Sequence, residues 1–505
     1  DEGGDQPMEG GAALCVLNAK YVHASPAPWC LKAGVKAHAP ELFERVRIVE
    51  GHVNQPEGDV LEAVLALRPA LVGLSCYIWN ITKTLALCRR LKAARPELCV
   101  VLGGPEVSCC PEKVLRENPA VDFILAGEGE ESFPAFLRAF FEGGLQGVLD
   151  RAASIRGLCR RVPGGEVRIS PPRALHGSVP SPLTAGYAEA VRGRIAYFET
   201  SRGCPYRCAF CLSGGEKPRY FNPEGLFGDL LELSRSGART IKFVDRTFNA
   251  NPAHSDAILR FILDHYGREI PPGVCFHFEV AGDILREETM ALLERMPPGA
   301  AQLEIGLQSF NEKTLDAIRR RTDTARLIEN IRRLVRMGNM HIHIDLIAGL
   351  PYEDLASFTA GFNTAYGLEA HMLQLGFLKI LHGSAMRSEP ENFPCEYRSE
   401  PPYEVICTPW MRTEDLALLH RTENALEKVY NTGRFRLTAA YVLKASGLSP
   451  FDFYTGLGAA IEKAGMGSRA PLDDFTELLK TYCEALPGVD RERLRARLGF
   501  GTVAP

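Results

Sequence analysis

The first third of the chain alternates apolar runs with helical stretches, the pattern of a parallel sheet covered by helices on both faces. The apolar runs predict five strands, at residues 13–17, 46–49, 71–74, 99–102 and 123–125. Stretches such as 59–67 and 82–94 predict helices between them. We therefore expect a doubly wound α/β domain over residues 12–145.

A second alternating series begins near residue 194. It predicts six strands, at residues 195–200, 240–244, 275–280, 302–307, 341–347 and 373–380. The helices predicted between them include 224–235, 255–265, 287–294, 312–319 and 327–337. Six strand and helix units cannot close an eight-stranded barrel, so we expect an open, partial (β/α)6 TIM-like barrel over residues 194–385.

Three further segments complete the predicted domain organisation. Residues 1–11 are acidic and Gly-rich, which predicts disorder. Residues 146–193 are expected to be a linker, since 163–182 is rich in Pro, Gly and Ser. Residues 386–505 predict a mainly helical C-terminal domain.

That C-terminal domain has an irregular start followed by helical patterns. The predicted helices cover residues 413–429, 440–446 and 450–464, with a charged close at 491–497. Its aromatic and basic side chains are Tyr403, Trp410, Arg434, Arg436, Tyr441, Phe451, Phe453 and Tyr454. We expect a helical cap over the barrel mouth that helps to select the substrate. The alternative is that these aromatic side chains form only the core of the cap.

Composition places the chain among globular proteins. Its 505 residues suggest two to four domains, and 46% of them are apolar. No apolar run approaches the roughly 20 residues of a membrane span. Fifteen scattered cysteines, with no signal-peptide pattern, predict a reducing compartment and so a cytoplasmic protein. A net charge of -4 gives no bulk reason to expect nucleic acid, although a local basic groove stays open.

The strongest chemical signal is a triplet of cysteines after the first barrel strand. Cys204, Cys208 and Cys211 stand in the run Ser-Arg-Gly-Cys-Pro-Tyr-Arg-Cys-Ala-Phe-Cys. Three thiolates at this spacing can each bind one iron of a cubane [4Fe-4S] cluster and leave the fourth iron open. A zinc site would need a fourth ligand, and the nearest other cysteines are Cys159 and Cys275. A disulfide would leave one thiol over.

This triplet resembles the cysteine motif of the radical S-adenosylmethionine (SAM) superfamily. The resemblance implies that Cys204, Cys208 and Cys211 carry the catalytic cluster and that SAM binds the open iron. It also implies SAM contacts from the strand ends, at Phe210, Asp245, Arg246, Glu304, Gln308, Ser309 and Gly349. The run after the second barrel strand departs from the Gly-Gly-Glu that is common in the superfamily. Glu304 could instead be a paired barrel carboxylate, and Gly349 a plain turn residue.

The loops after strands three to five of the first domain are small or polar. Collectively they resemble the Rossmann-like, flavodoxin-type cobalamin-binding domain of B12-dependent radical SAM proteins. The cobalamin contacts that this implies are Ser75, Asn80, Gly103, Gly104, Glu106, Gly127, Glu128 and Gly129. The Asp-x-His-x-x-Gly loop that supplies an axial histidine in many B12 proteins is absent. The alternative is a flavodoxin-like scaffold that binds no corrinoid.

The resemblance implies an enzyme, a cobalamin-dependent methyltransferase of unactivated carbon. Its cofactors would be a [4Fe-4S] cluster, SAM and cobalamin, and its partners an organic substrate and a one-electron donor such as flavodoxin or ferredoxin. One alternative is a cobalamin-independent radical rearrangement, or modification of a tRNA or small molecule, with the first domain as scaffold. Another is an iron-sulfur electron-transfer protein. The sequence does not disclose the substrate, the atom modified or the oligomeric state.

Overall fold

A computed structural model of the chain describes residues 10–172, 179–467 and 470–501. Most of the segment that was predicted to be disordered, residues 1–9, lies outside the described residues. So does 173–178, within the expected linker.

The amino-terminal domain is built on a seven-stranded sheet in the order β2-β1-β3-β4-β5-β6-β7. The first five strands in the chain run parallel to their neighbours, and the last two run antiparallel. The strands are β1 (Ala12–Asn18), β2 (Val46–His52), β3 (Leu71–Ser75), β4 (Cys99–Gly103), β5 (Phe123–Leu125), β6 (Leu158–Arg161) and β7 (Val167–Ile169).

Helices cover both faces of this sheet. They are α1 (Ala27–His38), α2 (Glu57–Ala66), α3 (Ile81–Ala94), α4 (Pro105–Ser108), α5 (Pro111–Glu117) and α6 (Gly129–Asp150). Alternate strand residues pack against α2, α3 and α5 on one face, and against α1 and α6 on the other. This is the doubly wound arrangement that the sequence predicts.

The structure differs from the expected linker after α6. Strands β6 and β7 fold back and extend the sheet beyond β5, with Leu158 and Cys159 buried. They give β5 a backbone partner on its outer side, where it would otherwise be an unpaired edge. The predicted linker therefore contributes two strands to the amino-terminal domain.

The middle domain is an open parallel sheet of six strands in the order β15-β14-β13-β12-β11-β8. These strands are β8 (Ile195–Phe198), β11 (Thr240–Phe243), β12 (Cys275–Val280), β13 (Ala301–Gln308), β14 (His341–Ala348) and β15 (Met372–Phe377). Between β8 and β11 lies a short antiparallel pair, β9 (Ser201–Arg202) and β10 (Arg219–Tyr220). The predicted fold class, a doubly wound domain followed by a partial barrel, is confirmed.

Helices connect the barrel strands along the outer face. They are α8 (Pro223–Arg235), α9 (Pro252–His265), α10 (Glu287–Glu294), α11 (Glu312–Ala317), α12 (Thr324–Met337) and α13 (Leu355–Tyr366), with the short α7 (Tyr187–Ala190) before β8 and the short α14 (Ala385–Ser388) after β15. Their buried side chains pack on the outward-facing strand residues in one continuous core.

Both open edges of the barrel are covered. On the β8 side, the amide of Ile195 donates to the carbonyl of Val22, in the first loop of the amino-terminal domain, at 2.8 Å. On the β15 side, the Asn431 side chain accepts from the amide of Leu373 at 3.0 Å and donates to its carbonyl at 2.9 Å. These contacts satisfy backbone groups that an open sheet would leave unpaired.

The C-terminal domain starts with a hairpin and continues as helices. Its elements are β16 (Glu396–Tyr397), β17 (Val405–Cys407), α15 (Thr413–Leu426), α16 (Arg436–Ser446), α17 (Pro450–Lys463), α18 (Leu472–Glu484) and α19 (Arg491–Gly501), with a π-helical turn, Glu427–Asn431, after α15. Helix α18 was not predicted. Among the described residues, no helix combines the length and apolar character that a membrane span requires.

The C-terminal helices pack along the β15 side of the barrel. Helix α15 begins near the end of β14, where Leu416 contacts Gly349, and its π-helical turn reaches the start of β15, where Tyr430 donates to the carbonyl of Ala370. Phe451 packs edge to face on Phe362 of α13. The aromatic side chains Phe451, Phe453 and Tyr454 are buried, so they form a core, as the alternative interpretation holds.

Candidate active site

The cysteine triplet lies on the loop between β9 and β10, at the carboxyl end of the first barrel strand. Cys204 is buried, and Cys208 and Cys211 are half-buried. Ser213 donates its amide to the sulfur of Cys211 at 3.4 Å, and Arg320 donates to the sulfur of Cys208 at 3.8 Å. All fifteen cysteines lie within the described residues, and all are free thiols.

The three thiols fit the donor set of an iron-sulfur cluster. They are soft ligands on one short loop. Burial raises the pKa of the Cys208 thiol, and the nearby guanidinium of Arg320 opposes this rise. Metal binding requires the deprotonated thiolate, so a cation at this sulfur favours the binding form.

The strand before the cysteines is fixed by Asp245, which follows β11. Its carboxylate accepts from the amide of Thr200 at 3.1 Å, from the Thr200 hydroxyl at 2.6 Å and from the Ser201 hydroxyl. Burial raises the pKa of Asp245 to about 6, and the hydrogen bonds from the two hydroxyl residues oppose that rise. Asp245 therefore faces the base of the cysteine loop and does not line the adjacent cavity.

A cavity lies between the cysteine loop and the ends of β11 to β14. The predicted SAM contacts that line it are Arg246, Glu304 and Gln308. The other lining residues are Tyr206, Thr247, Glu279, Val280, Ala281, Asp283, Gly306, Arg320, Arg321, Thr322 and Asp345. The cavity adjoins the cysteine loop, since Thr247 lies 3.6 Å from the Cys204 sulfur.

The side chains of Gln308 and Arg320 in this cavity each have an unsatisfied buried atom. Within the described part of the chain, neither Gln308 Oε1 nor Arg320 Nε has a hydrogen-bond partner, and both are shielded from solvent. Gln308 also has a φ of 70°, a conformation rare for residues with a side chain. Buried polar groups are normally paired, so these atoms fit a bound polar ligand. Arg320 was not predicted, because it lies far from the cysteines in the chain.

Besides Asp245, three further predicted SAM contacts lie outside this cavity lining. Ser309 is buried and donates its hydroxyl to Glu353 at 2.5 Å. Gly349 has a φ of 89°, and a Cβ there would lie 2.6 Å from a Val405 methyl group. Phe210 is half-buried against the barrel core. The structure thus groups Arg246, Glu304 and Gln308 and separates these three from them.

The barrel lumen below the cavity is polar. Glu304 accepts from Lys242 at 3.1 Å and from His277 at 2.9 Å, and Lys242 also lies 3.3 Å from Glu279. Burial alone would raise the pKa of Glu304, but the His277 hydrogen bond and the Lys242 charge outweigh it and lower the pKa to about 2. Glu304 is therefore a paired barrel carboxylate that also lines the cavity.

The lumen network continues onto β14. His343 lies opposite Glu304 in the sheet, and its Nε2 lies 2.8 Å from Asp345. Glu304, His343 and Asp345 each place a possible ligand atom within 4.8 Å of the others. The network therefore joins strands β11 to β14 across the floor of the cavity.

The predicted cobalamin contacts lie at the carboxyl ends of β3, β4 and β5, and several have internal roles. Asn80 is buried and donates to the carbonyls of Leu17 and Ser75, both at 3.0 Å. Gly104 has a φ of 104°, and a Cβ there would lie 2.5 Å from the carbonyl oxygen of Cys76. These residues determine the shape of the strand ends. Gly103 continues the same turn, since its carbonyl accepts from the amide of Cys76.

The acidic residues of these loops contact the other domains. Tyr403 of the C-terminal domain donates its hydroxyl to Glu106 at 2.5 Å. Glu128 pairs with Arg219, and Glu130, buried in the first turn of α6, pairs with Arg202 at 2.5 Å. Gly127 and Gly129 flank Glu128 in this loop. The acidic side chains that the resemblance assigns to cobalamin thus pair with residues of the barrel and the C-terminal domain.

An aromatic pair at the end of β3 was not predicted. The rings of Tyr77 and Trp79 stack with centroids 4.4 Å apart, and the Trp79 side chain is exposed. In the first loop, His23 bonds to the hydroxyl of Tyr197 at 2.7 Å. His23 therefore contacts the barrel, in keeping with the absence of an axial-histidine motif from this loop.

Comparison with protein families divides the chain into three matched segments. Residues 15–137 match the B12 binding domain, and residues 198–360 match the Radical SAM superfamily. Residues 391–500 match a family described as a protein of unknown function, DUF4080.

Curated relatives cover the first two segments. The chain is 28% identical over 316 residues to a 2-(S-pantetheinyl)-carbapenam-3-carboxylate methyltransferase of Streptantibioticus cattleyicolor, which covers 59% of this chain and 44% of the relative. It is 26% identical to the cobalamin-dependent radical SAM methyltransferase TokK of Streptomyces tokunonensis, over 59% of this chain and 45% of TokK. The matches thus span less than half of either relative.

Solved structures share the fold. The cobalamin-dependent SAM radical enzyme OxsB, with aqua-cobalamin and SAM bound, superposes with a TM-score of 0.66 at 13% identity, over 98% of this chain and 84% of OxsB. The radical SAM methyltransferase TsrM from Kitasatospora setae superposes with a TM-score of 0.60 at 18% identity, over 75% of this chain and 76% of TsrM. The chain thus combines a B12-binding domain with a following radical SAM domain, and it is similar to cobalamin-dependent radical SAM methyltransferases.

Proposed function

We propose that this protein is a cobalamin-dependent radical SAM methyltransferase that acts on an unactivated carbon of an organic substrate. The observation that carries the proposal is the group of three free thiols beside a cavity in which Gln308 Oε1 and Arg320 Nε are buried and have no hydrogen-bond partner among the described residues. The curated relatives named above are methyltransferases, which supports the transfer of a methyl group.

Cys204, Cys208 and Cys211 would bind the cluster, and SAM would lie in the cavity that adjoins them. When bound, the cluster supplies the electron that cleaves SAM to the 5′-deoxyadenosyl radical, and cobalamin supplies the methyl group. Flavodoxin or ferredoxin would serve as the electron donor.

The chain's own residues orient SAM and limit water. Arg320 spans the two halves of the site, because it donates to the Cys208 sulfur and, at 2.5 Å, to the carbonyl of Gly306 in the cavity wall. Its Nε and Gln308 Oε1 would bind polar atoms of SAM. Asp245 and Thr200 keep the cysteine loop in place from beneath. Such fixed polar groups reduce the cost of ordering the cofactor.

The cobalamin would lie over the ends of β3 to β5. The exposed Trp79, stacked on Tyr77, offers an apolar surface at this edge of the sheet, and Gly103 keeps the space above β4 open, with Leu125 O the nearest atom to an added Cβ, at 3.5 Å. Ligands in doubly wound folds bind at such strand ends.

The test is SAM cleavage by the full chain after anaerobic reconstitution with iron and sulfide. Reduced wild type should release 5′-deoxyadenosine, and Cys208→Ala should release none above background, because one cluster iron loses its ligand. Cys395→Ala, a half-buried thiol of the C-terminal hairpin, should retain wild-type release. Normal release by Cys208→Ala would contradict the cluster assignment.

Cobalamin dependence needs a separate measurement. The full chain should bind hydroxocobalamin, detected by its absorption spectrum after gel filtration. Cells with the protein should contain a product that is fourteen daltons heavier than its precursor, and cells without the protein should contain only the precursor. If the protein cleaves SAM but does not bind hydroxocobalamin, it is a radical SAM enzyme that does not depend on cobalamin.

A further inference from the structure

Arg202 connects the cysteine loop to the amino-terminal domain. It lies two residues before Cys204, and its guanidinium donates to Glu130 at 2.5 Å and to Glu199 at 2.8 Å. The same guanidinium lies 3.6 Å from Glu128. Glu128 and Glu130 lie in the β5 loop, residues 127–130, which leads from β5 into the first turn of α6 and is one of the predicted corrinoid loops.

This ion-pair network is largely removed from solvent. The Arg202 side chain is 18% exposed and that of Glu130 is 4% exposed. A buried carboxylate such as Glu130 is costly unless its cation is present, so the β5 loop depends on the barrel for a partner.

The cysteine loop and the β5 loop are in contact through closely packed segments of backbone. Arg202 lies opposite Arg219 in the β9 and β10 pair, and Arg219 also contacts Glu128, so both arginines of this pair face the same loop. Gly203, between Arg202 and Cys204, has a φ of 92°, and a Cβ there would lie 3.0 Å from the carbonyl oxygen of Lys217. A single closely packed residue therefore separates Arg202 from Cys204.

The opposite side of the interface is equally close-packed. Gly129, between Glu128 and Glu130, is packed so tightly against α1 that a Cβ would lie 2.4 Å from a Leu31 methyl group. Because of this close packing, we expect the β5 loop and helix α1 to move together. A ligand that displaces or orders this loop acts on Glu130 and, through it, on Arg202.

We propose that Arg202 is a positioning residue that couples corrinoid binding at the β5 loop to SAM binding at the cysteine loop. This inference rests on the proposed function. Because linkage is reciprocal, each ligand changes the affinity of the other by the same factor.

A second arginine offers a matched control. Arg161 is also partly buried, but it donates to the carbonyls of Leu115, Asn118 and Val121 within its own domain.

The test uses the full chain with an oxidised, reconstituted cluster and measures SAM affinity by anaerobic calorimetry, with and without hydroxocobalamin. In wild type, hydroxocobalamin should change the SAM dissociation constant by at least about fivefold. Arg202→Lys, which keeps the charge but loses the two-pronged contact, should bring that ratio close to one. Arg161→Lys should keep the wild-type ratio.

Each outcome separates the inference from the proposed function. The coupling is refuted, while the function stands, if wild type binds both ligands but hydroxocobalamin changes its SAM dissociation constant by less than twofold. It is also refuted if Arg202→Lys shows the same change in the SAM dissociation constant as wild type. If wild type binds neither ligand, the proposed function fails as well. Should Arg202→Lys fail to take up the cluster, Glu130→Gln, in the other domain, replaces it and must likewise reduce the ratio.

Discussion

The two parallel sheets of this protein differ in what their faces meet. Strands β1 and β3 of the amino-terminal sheet are buried at every residue, because helices cover both faces. Strand β13 of the barrel instead alternates buried and partly exposed residues along its whole length, since one face meets helices and the other the lumen. The same parallel architecture thus creates two different chemical environments.

This difference decides where each domain can place polar chemistry. In the barrel, Lys242, His277 and Glu304 lie on the strands and meet inside the lumen. In the amino-terminal domain the strands are apolar, so its candidate binding residues lie on loops past the strand ends, at 75–80, 103–106 and 127–130. A barrel site is therefore preformed by the sheet, whereas the loop site depends on its neighbours.

The largest effect is expected from placing a charge inside the amino-terminal sheet. Val72 is fully buried on β3, between β1 and β4. Val72→Asp buries a carboxylate without a partner and should destabilise this domain by more than about 4 kcal/mol. Differential scanning calorimetry should show the loss of its unfolding transition.

The matched change in the barrel is Gln302→Asp. Gln302 lies on the lumen face of β13 between His277 and His341, so a carboxylate there has polar neighbours. We expect a change within about 1 kcal/mol. Equal destabilisation by the two substitutions would show that the contrast between the sheets has no energetic basis.

A smaller effect concerns two carboxylates of the barrel domain, the buried Glu353 and the partly buried Glu304. Burial raises the pKa of Glu353, just past β14, to about 7. The folded state therefore binds a proton that the unfolded state has released, and this contribution to stability is lost as pH rises through about 7. Glu353→Gln should remove that pH dependence and stabilise the protein at pH 8 by roughly 2–3 kcal/mol relative to wild type. Urea unfolding at pH 5 and pH 8 measures the difference.

For Glu304, the pH dependence of stability has the opposite sign. Its pKa is lowered to about 2 in the lumen network, so its contribution is present above the unfolded pKa and is lost as pH falls toward 2. Glu304→Gln should therefore destabilise the protein at pH 8. If Glu353→Gln also destabilised at pH 8, the carboxylate of Glu353 would be charged and paired in the folded protein.

The smallest expected effect is at a sheet edge. The amino-terminal sheet extends past β5 with a backbone hairpin, whereas the β15 edge is paired by one side chain, that of Asn431. Asn431→Ala should cost about 1–2 kcal/mol, because it removes two hydrogen bonds to Leu373. Hydrogen exchange at the Leu373 amide should become faster.

Thr432→Ala tests whether this effect is specific. Thr432 follows Asn431, is exposed, and bonds with its hydroxyl to the carbonyl of Lys428 within its own helical turn. It should change stability by less than about 0.5 kcal/mol and leave Leu373 exchange unaltered. Unchanged exchange in Asn431→Ala would mean that other contacts protect the edge.

Much of this architecture could be predicted because periodicity is a local property. The strand runs of both sheets and the cysteine triplet are each contained in a few consecutive residues. Strands β6 and β7 escaped prediction because they are short, lie in a Pro- and Gly-rich segment, and form only by pairing back on β5. Arg320 escaped because it meets Cys208 across 112 residues of chain.

The main difference between the sequence-based expectations and the structure concerns the acidic residues at the strand ends of the amino-terminal domain. Glu106 and Glu128 stand at strand ends, where the resemblance to the cobalamin-binding domain implies ligand contacts, yet they pair with Tyr403 and Arg219. Whether a carboxylate meets a ligand or a neighbouring domain depends on how the domains dock, and no short run of residues encodes that.

The sequence by itself determined the two alternating α/β series and a thiol spacing suited to a three-cysteine cluster, because both follow from neighbouring residues and backbone geometry. Only the tertiary structure decided which polar side chains face the cavity and which join the domains. Those outcomes depend on pairing charges and burying surface between segments far apart in the chain, as with Arg202 and Glu130.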